Sequence, residues 1–336
     1  MTSMLNTIRS RSQDKLLQLQ KELEHTYCDF SMAKRVCIYA CGSLGRLEAT
    51  DSSDLDLFFI TQENEPITLN PITTALNKED NHISQLDTYL FFSRLSDVTQ
   101  RLKYPTPSKG GAYWTFTSKR ELLDIGSREE DYLNSFTARL LLLLESKPLY
   151  NESHYDTLIT DTVKKYFVDY EENQNDFYPL FLMNDILRYW YTLTLNYEYR
   201  RDPRDDKTER YWKRLKLKFA RLITCFSLIA CLYEKNITPG QVEKYVKMTP
   251  FERIRALGKI VPRVSEISEQ LETGYEWYLD LRAHQKSDWW DDSDHKAEAF
   301  QKADKFHDIV VNQLMGAVSS YNRELAAKAD MHCILT

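Results

Sequence analysis

Apolar and polar positions along this chain follow two rhythms, one of strands and one of helices. Over residues 4–27, Leu5, Ile8, Leu16, Leu19 and Leu23 recur among charged residues, which predicts an amphipathic helix lying on a sheet. Residues 36–40, VCIYA, are a short unbroken apolar run, the pattern of a buried strand, and Gly42-Ser43 turns the chain directly after it. Residues 54–57 then read Asp-Leu-Asp-Leu. Successive strand side chains point to opposite faces, so Asp54 and Asp56 project together while Leu55 and Leu57 pack beneath. After a polar, proline-bearing stretch at 61–70, a short helix expected from Pro71 and a turn at 78–82, residues 83–92 (ISQLDTYLFF) read as another strand that carries Asp87. Residues 104–113, YPTPSKGGAY, fit either a loop closing over a site or a plain linker.

Beyond that loop the rhythm is helical. Residues 128–146 include Leu140 to Leu144, apolar all round and therefore buried by other helices, with Pro148 as a stop. Over 180–197, Met183, Ile186, Leu187, Trp190, Leu193 and Tyr197 form one stripe and leave Asn184 and Arg188 on a flank suited to face a cleft. Over 208–233 the stripe is Trp212, Leu215, Phe219, Leu222 and Phe226, with Arg210, Arg214, Lys218 and Arg221 opposite. That basic side reads either as a solvated face or, with Lys213 and Lys216 on its edges, as a neutraliser of a triphosphate or an acidic acceptor. The rest is helical, divided at 286–294 (KSDWWDDSD), whose acidic end can cap the following helix and whose tryptophans read as a packing plug. The fold class expected is α+β, a small mixed-sheet domain over 1–125 followed by a larger all-helical domain over 126–336.

Composition narrows the function. With 42% hydrophobic residues, 21 Tyr and only nine Gly and ten Pro, the chain is globular and helix-rich rather than disordered or turn-rich. A net charge of −6 supplies no global attraction to nucleic acid. The six cysteines form no C-x-x-C pair and the seven histidines do not fall at zinc-ligand spacing with them, so no zinc site is implied. The N-terminal residues are too polar for a signal peptide and no apolar run can span a bilayer, so a cytoplasmic protein without membrane partners is expected.

The chemistry gathers at residues 36–60. Two neighbouring carboxylates repel unless a proton or a cation relieves them, and hard oxygen ligands suit Mg2+ or Mn2+ carrying substrate phosphates. Gly42-Ser43-Leu44-Gly45-Arg46-Leu47-Glu48, followed by Ser53-Asp54-Leu55-Asp56-Leu57, resembles the signature of the DNA polymerase β-like nucleotidyltransferase superfamily. It is closest to the form in PII-protein uridylyltransferases and related putative nucleotidyltransferases, and the helical segments resemble their helical halves. The stretch 51–53 lacks the proline often found in that form.

The resemblance implies a Mg2+-dependent enzyme that moves an NMP group from an NTP to an acceptor hydroxyl on a protein, an RNA or a small molecule. Asp54, Asp56 and Asp87 would hold two metal ions and perform the chemistry. Gly42, Ser43, Gly45 and Arg46 would hold the phosphates, with Glu48 ordering Arg46, while Arg188, Lys213 and Lys216 would serve the nucleotide from the helical domain. The alternatives are a second-messenger or tRNA-modifying transferase of a defence or toxin system, and a non-catalytic interaction protein that keeps the fold. No H-D metal pair is present, so the phosphohydrolase and regulatory activities of full uridylyltransferases are not implied.

Overall fold

The computed structural model describes residues 4–51, 53–62, 83–106, 111, 114–127, 134–174, 176–199, 207–284 and 287–333, and the expectations for 63–82 and most of the 104–113 loop lie outside them. The chain divides into a sheet unit, Asn6–Lys165, and a helical unit, Met1–Leu5 with Tyr166–Thr336. The mixed α and β composition agrees with the sequence, but the sheet unit runs well past the expected boundary at 125.

In the sheet unit, helix α1 (Met4–Tyr27) precedes strand β1 (Val36–Ala40), the one-turn helix α2 (Gly42–Gly45) and strand β2 (Leu57–Thr61). Then come α3 (Gln85–Arg101), β3 (Phe116–Ser118), α4 (Lys119–Leu123), α5 (Ser135–Glu145), β4 (Lys147–Tyr150) and α6 (Glu152–Tyr166). The strand order is β3-β2-β1-β4, with β1 antiparallel to both neighbours and β2 parallel to β3. On one face Leu19, Leu23 and Tyr27 of α1 meet Phe91, Leu95 and Val98 of α3 over Val36, Ile38, Leu57 and Phe59. Tyr27 stacks on Phe91 with centroids 4.6 Å apart. Each such buried side chain contributes about 1.5–3 kcal/mol. On the other face Tyr39 stacks on Phe58 and donates to Ala138 O of α5.

Two expectations are corrected. Residues 83–92 are not a strand, because α3 occupies Gln85–Arg101. Ser84 supplies an N-cap, and Phe91, Leu95 and Val98 give the helical spacing that buries it, so capping and tertiary packing override the strand-like composition. The helix carrying Leu140 to Leu144 does not begin a second domain either, because α5 lies within the sheet unit, where it is followed by the expected stop, Pro148. Pro148 sits in edge strand β4, where a missing N–H is tolerated, and β4 adds the fourth strand.

The helical unit contains α7 (Leu180–Tyr199) and a long helical stretch made of α8 (Lys207–Lys216), a π turn (Leu217–Arg221) and α9 (Leu222–Leu232). Every residue of α9 is buried, as its all-round apolar sequence dictates. Next are α10 (Pro239–Lys247), α11 (Pro250–Gly258) and α12 (Pro262–His284). A 3-10 turn (Ser287–Asp291) leads to α13 (Ser293–Asp308), a second π turn (Ile309–Leu314), α14 (Met315–Tyr321) and α15 (Arg323–His332). Asp292 caps α13 through the amides of Asp294 and His295. Trp290 is buried against Tyr211 and Trp212, so the tryptophan plug is in place. Among the described residues no helix is long and apolar enough to cross a membrane.

Candidate functional site

The site is built where β1 ends. The Cys41 amide donates to Asp56 O at 2.9 Å, extending the β1–β2 ladder one residue past Leu57 and fixing the approach of Asp54-Leu55-Asp56. These residues form an extended lead-in to β2 rather than part of the strand. Ser53, Leu55 and Leu57 are buried while Asp54 and Asp56 are exposed, the arrangement the alternation requires.

Gly42 opens the helical turn with φ +65°, and a Cβ built there would stand 2.5 Å from Asp56 Oδ2. Only glycine lets the turn come this close to the carboxylate. The first amides of the turn, on Gly42, Ser43 and Leu44, have no carbonyl one turn back within the helix, and Ser43 is half-buried at its start. Gly45 has a different purpose. A Cβ there would collide with Glu145 O and stand 2.9 Å from Ala40 O, so its lack of a side chain admits the end of α5 against β1.

Arg46 is the main departure from expectation in this turn. Its Nε donates to Glu48 Oε2 at 2.9 Å, its second guanidinium nitrogen pairs with Glu145, and all three side chains are buried. Glu48 therefore orders Arg46, but the guanidinium is bound to two carboxylates and is not presented for a phosphate. Glu145 was not singled out by the sequence reading. Its one signal was an acid placed directly after the apolar run Leu140 to Leu144.

The loop before the acid pair is held from α1. Ser12 donates to Ala49 O, and Lys15 donates to Thr50 O and pairs with Asp51 at 2.7 Å, which holds the Asp51 carboxyl below the usual carboxylate range. Ser53 closes the turn by accepting from the Thr50 amide, so this motif residue is structural. Cys37 and Cys41 are buried core thiols, and burial pushes Cys37 up to about 12.

Asp87 does not stand on a strand beside Asp54 and Asp56. It lies in the first turn of α3, where its amide donates to Ser84 Oγ and the Ser84 hydroxyl donates to its Oδ2 at 2.8 Å. The true neighbour of β2 is β3, where Thr117 pairs with Ile60; extending that parallel register places Thr115 level with Phe58. Neither residue is an acid. Among the described residues no three His, Cys, Asp or Glu side chains converge to hold a metal. A two-metal set of Asp54, Asp56 and Asp87 therefore does not fit, whereas the hard oxygens of Asp54 and Asp56 beside the Gly42 turn suit one divalent cation.

Arg188, Lys213 and Lys216 belong to the helical unit. There Arg188 lies 3.8 Å from Asp185 and Lys213 pairs with Glu209 at 2.8 Å, while Lys216 is exposed. The basic side of the same long helical stretch is a seam with α13: Lys218 pairs with Asp304 at 2.7 Å and Arg214 stacks 4.2 Å from the centroid of Phe300. Neither the solvated-face nor the phosphate reading describes these two residues. No protein-family model, no curated protein and no solved structure matches the chain.

Proposed function

We propose that this protein is a nucleotide-binding transferase that moves an NMP group from an NTP to an acceptor hydroxyl, with Asp54 and Asp56 as its metal-holding residues. The observation that carries the reading is the placement of two exposed carboxylates on one face, against a turn opened by a positive-φ glycine. A bound Mg2+ or Mn2+ would supply charge neutralisation for the triphosphate.

The chain's own contribution is binding and orientation. Asp54 and Asp56 are kept side by side by burial of Leu55 and Leu57 and by the Cys41–Asp56 backbone bond. The first amides of the turn, on Gly42, Ser43 and Leu44, and the Ser43 hydroxyl offer neutral donors to phosphate oxygens without adding a side-chain charge. The Arg46 cluster holds the turn against α5.

A second reading, nucleotide binding without transfer, is favoured by the tie between Asp87 and Ser84 and by the lack of a three-acid group among the described residues. One experiment separates them: each labelled NTP with Mg2+, alone and with cell lysate, followed by resolution of protein, RNA and small-molecule fractions beside equilibrium binding. Label in any fraction supports the transferase. Saturable binding with no label supports the second reading, and neither binding nor label overturns both.

A further inference from the structure

A cavity of about 400 Å³ lies within the helical unit, where the start of α7, the end of α9 and the α14–α15 junction converge. Its volume lies in the range of small-molecule sites. Four of the lining side chains are charged: Glu234, Lys235, Arg323 and Glu324. Their states are unequal. Glu234 accepts from Gln241 Nε2 at 2.8 Å and from the Tyr245 hydroxyl at 2.6 Å, and Glu324 accepts from the Tyr178 hydroxyl at 2.9 Å. Both acids are thus hydrogen-bonded by neutral donors of the protein.

The cations are not so engaged. Lys235 Nζ lies 5.2 Å from the Tyr321 ring centroid, and neither Lys235 nor Arg323 has a carboxylate partner among the described residues. A third cation, Lys328, stands 4.3 Å from the Tyr178 ring at the same wall. The backbone around them is fixed: Asn236 turns the chain at φ +54°, and Asn322 is held by Tyr233 O while accepting from the Leu325 amide. The hydrogen bonds hold the two acids in place but leave them ionised, so it is the exposed Lys235 and Arg323, set in a fixed frame without a carboxylate partner among the described residues, that an anion can reach with charge-assisted hydrogen bonds, the strong contacts.

We propose that this cavity is a binding site for a small organic anion bearing several carboxylates or a phosphate, held by Lys235 and Arg323. The proposal is independent of the function assigned to Asp54 and Asp56. The test is calorimetric titration of the full chain at low ionic strength, where surface charge is least screened, with citrate, inorganic pyrophosphate and AMP as the probes. It is repeated on K235Q/R323Q and on a control, K244Q/K259Q, which removes two exposed lysines elsewhere in the unit. Saturable binding of at least one probe is expected, weakened tenfold or more in K235Q/R323Q and unchanged in the control, with an unaltered melting temperature in both variants. Preference for citrate or for the phosphates identifies the acid group. No saturable binding by any probe, or an equal loss in the control, overturns the proposal.

Discussion

Gly42 and Asp56 meet with no room for a side chain between them: a Cβ on Gly42 would stand 2.5 Å from Asp56 Oδ2. The Asp56 backbone is fixed on the same side by the Cys41 amide, so a side chain at position 42 would have to be accommodated by rotation of the exposed Asp56 carboxylate out of its place. Gly42→Ala is therefore expected to strain the turn, by about 1–2 kcal/mol for the left-handed backbone alone, and to displace the carboxylate. Melting curves should show the loss of stability, and Mn2+ titration with NTP should show at least tenfold weaker binding. Wild-type binding in the variant would mean that Asp56 does not hold the nucleotide's metal.

Asp54→Asn with Asp56→Asn tests the site without altering its shape. Both side chains are exposed, so the melting temperature should move little, within the roughly 0.5 kcal/mol typical of surface changes. NMP transfer and metal-dependent NTP binding should both vanish. Undiminished transfer in this variant would remove the acid pair from the chemistry.

What could be read from the sequence was whatever burial imposes locally. The alternation at Asp54 to Leu57, the all-apolar β1 and the run Leu140 to Leu144 each encode their surroundings in neighbouring residues: the leucines of the first alternate with exposed acids, β1 is wholly buried, and of the third only Leu141 is no more than half-buried. The Arg46–Glu145 pair could not be read this way, since it joins residues far apart in the chain and one sequence carries no trace of such a contact. The stretch at 83–92 failed for another reason. Its aromatic residues suit a strand, but Leu86, Tyr89 and Leu90 are exposed on a helix whose buried side continues beyond the window to Leu95 and Val98. Read over a longer window with its Ser84 cap, the helix was legible.

Asp87 now carries an expectation opposite to that of a metal ligand. As the N3 residue of α3, bonded to its Ser84 cap, Asp87→Ala should weaken the helix start by up to about 1 kcal/mol, through lost favourable interaction with the helix dipole. Single-turnover transfer should stay within twofold of wild type. A hundredfold fall in turnover with unchanged stability would restore Asp87 to the chemistry.

Stability should also respond to pH through His307. Burial, with Lys218 nearby, lowers its folded pKa below the ordinary 6.5. The unfolded chain then binds the proton more readily, so the stabilising contribution is complete above about pH 6.5 and is lost as pH falls through the lowered folded value. His307→Gln should flatten the decline in unfolding free energy between pH 7.5 and about 5. Equal slopes for the two proteins in urea titrations would show that His307 does not set this dependence.

The Arg46 cluster makes the sharpest stability prediction. One guanidinium serves two carboxylates, Glu48 and Glu145, and all three are desolvated. Arg46→Met leaves both acids buried without their cation, a loss of about 3–5 kcal/mol when a buried ionic partner is removed. If the loss comes from the stranded charges rather than from missing contacts, Arg46→Met with Glu48→Gln and Glu145→Gln should recover most of it, since no uncompensated charge remains. Urea unfolding of the single and triple variants measures both. A single variant as stable as wild type would mean that the cluster does not anchor the turn. A triple variant no better than the single one would place the stabilisation in the shape of the Arg46 side chain instead of its charge.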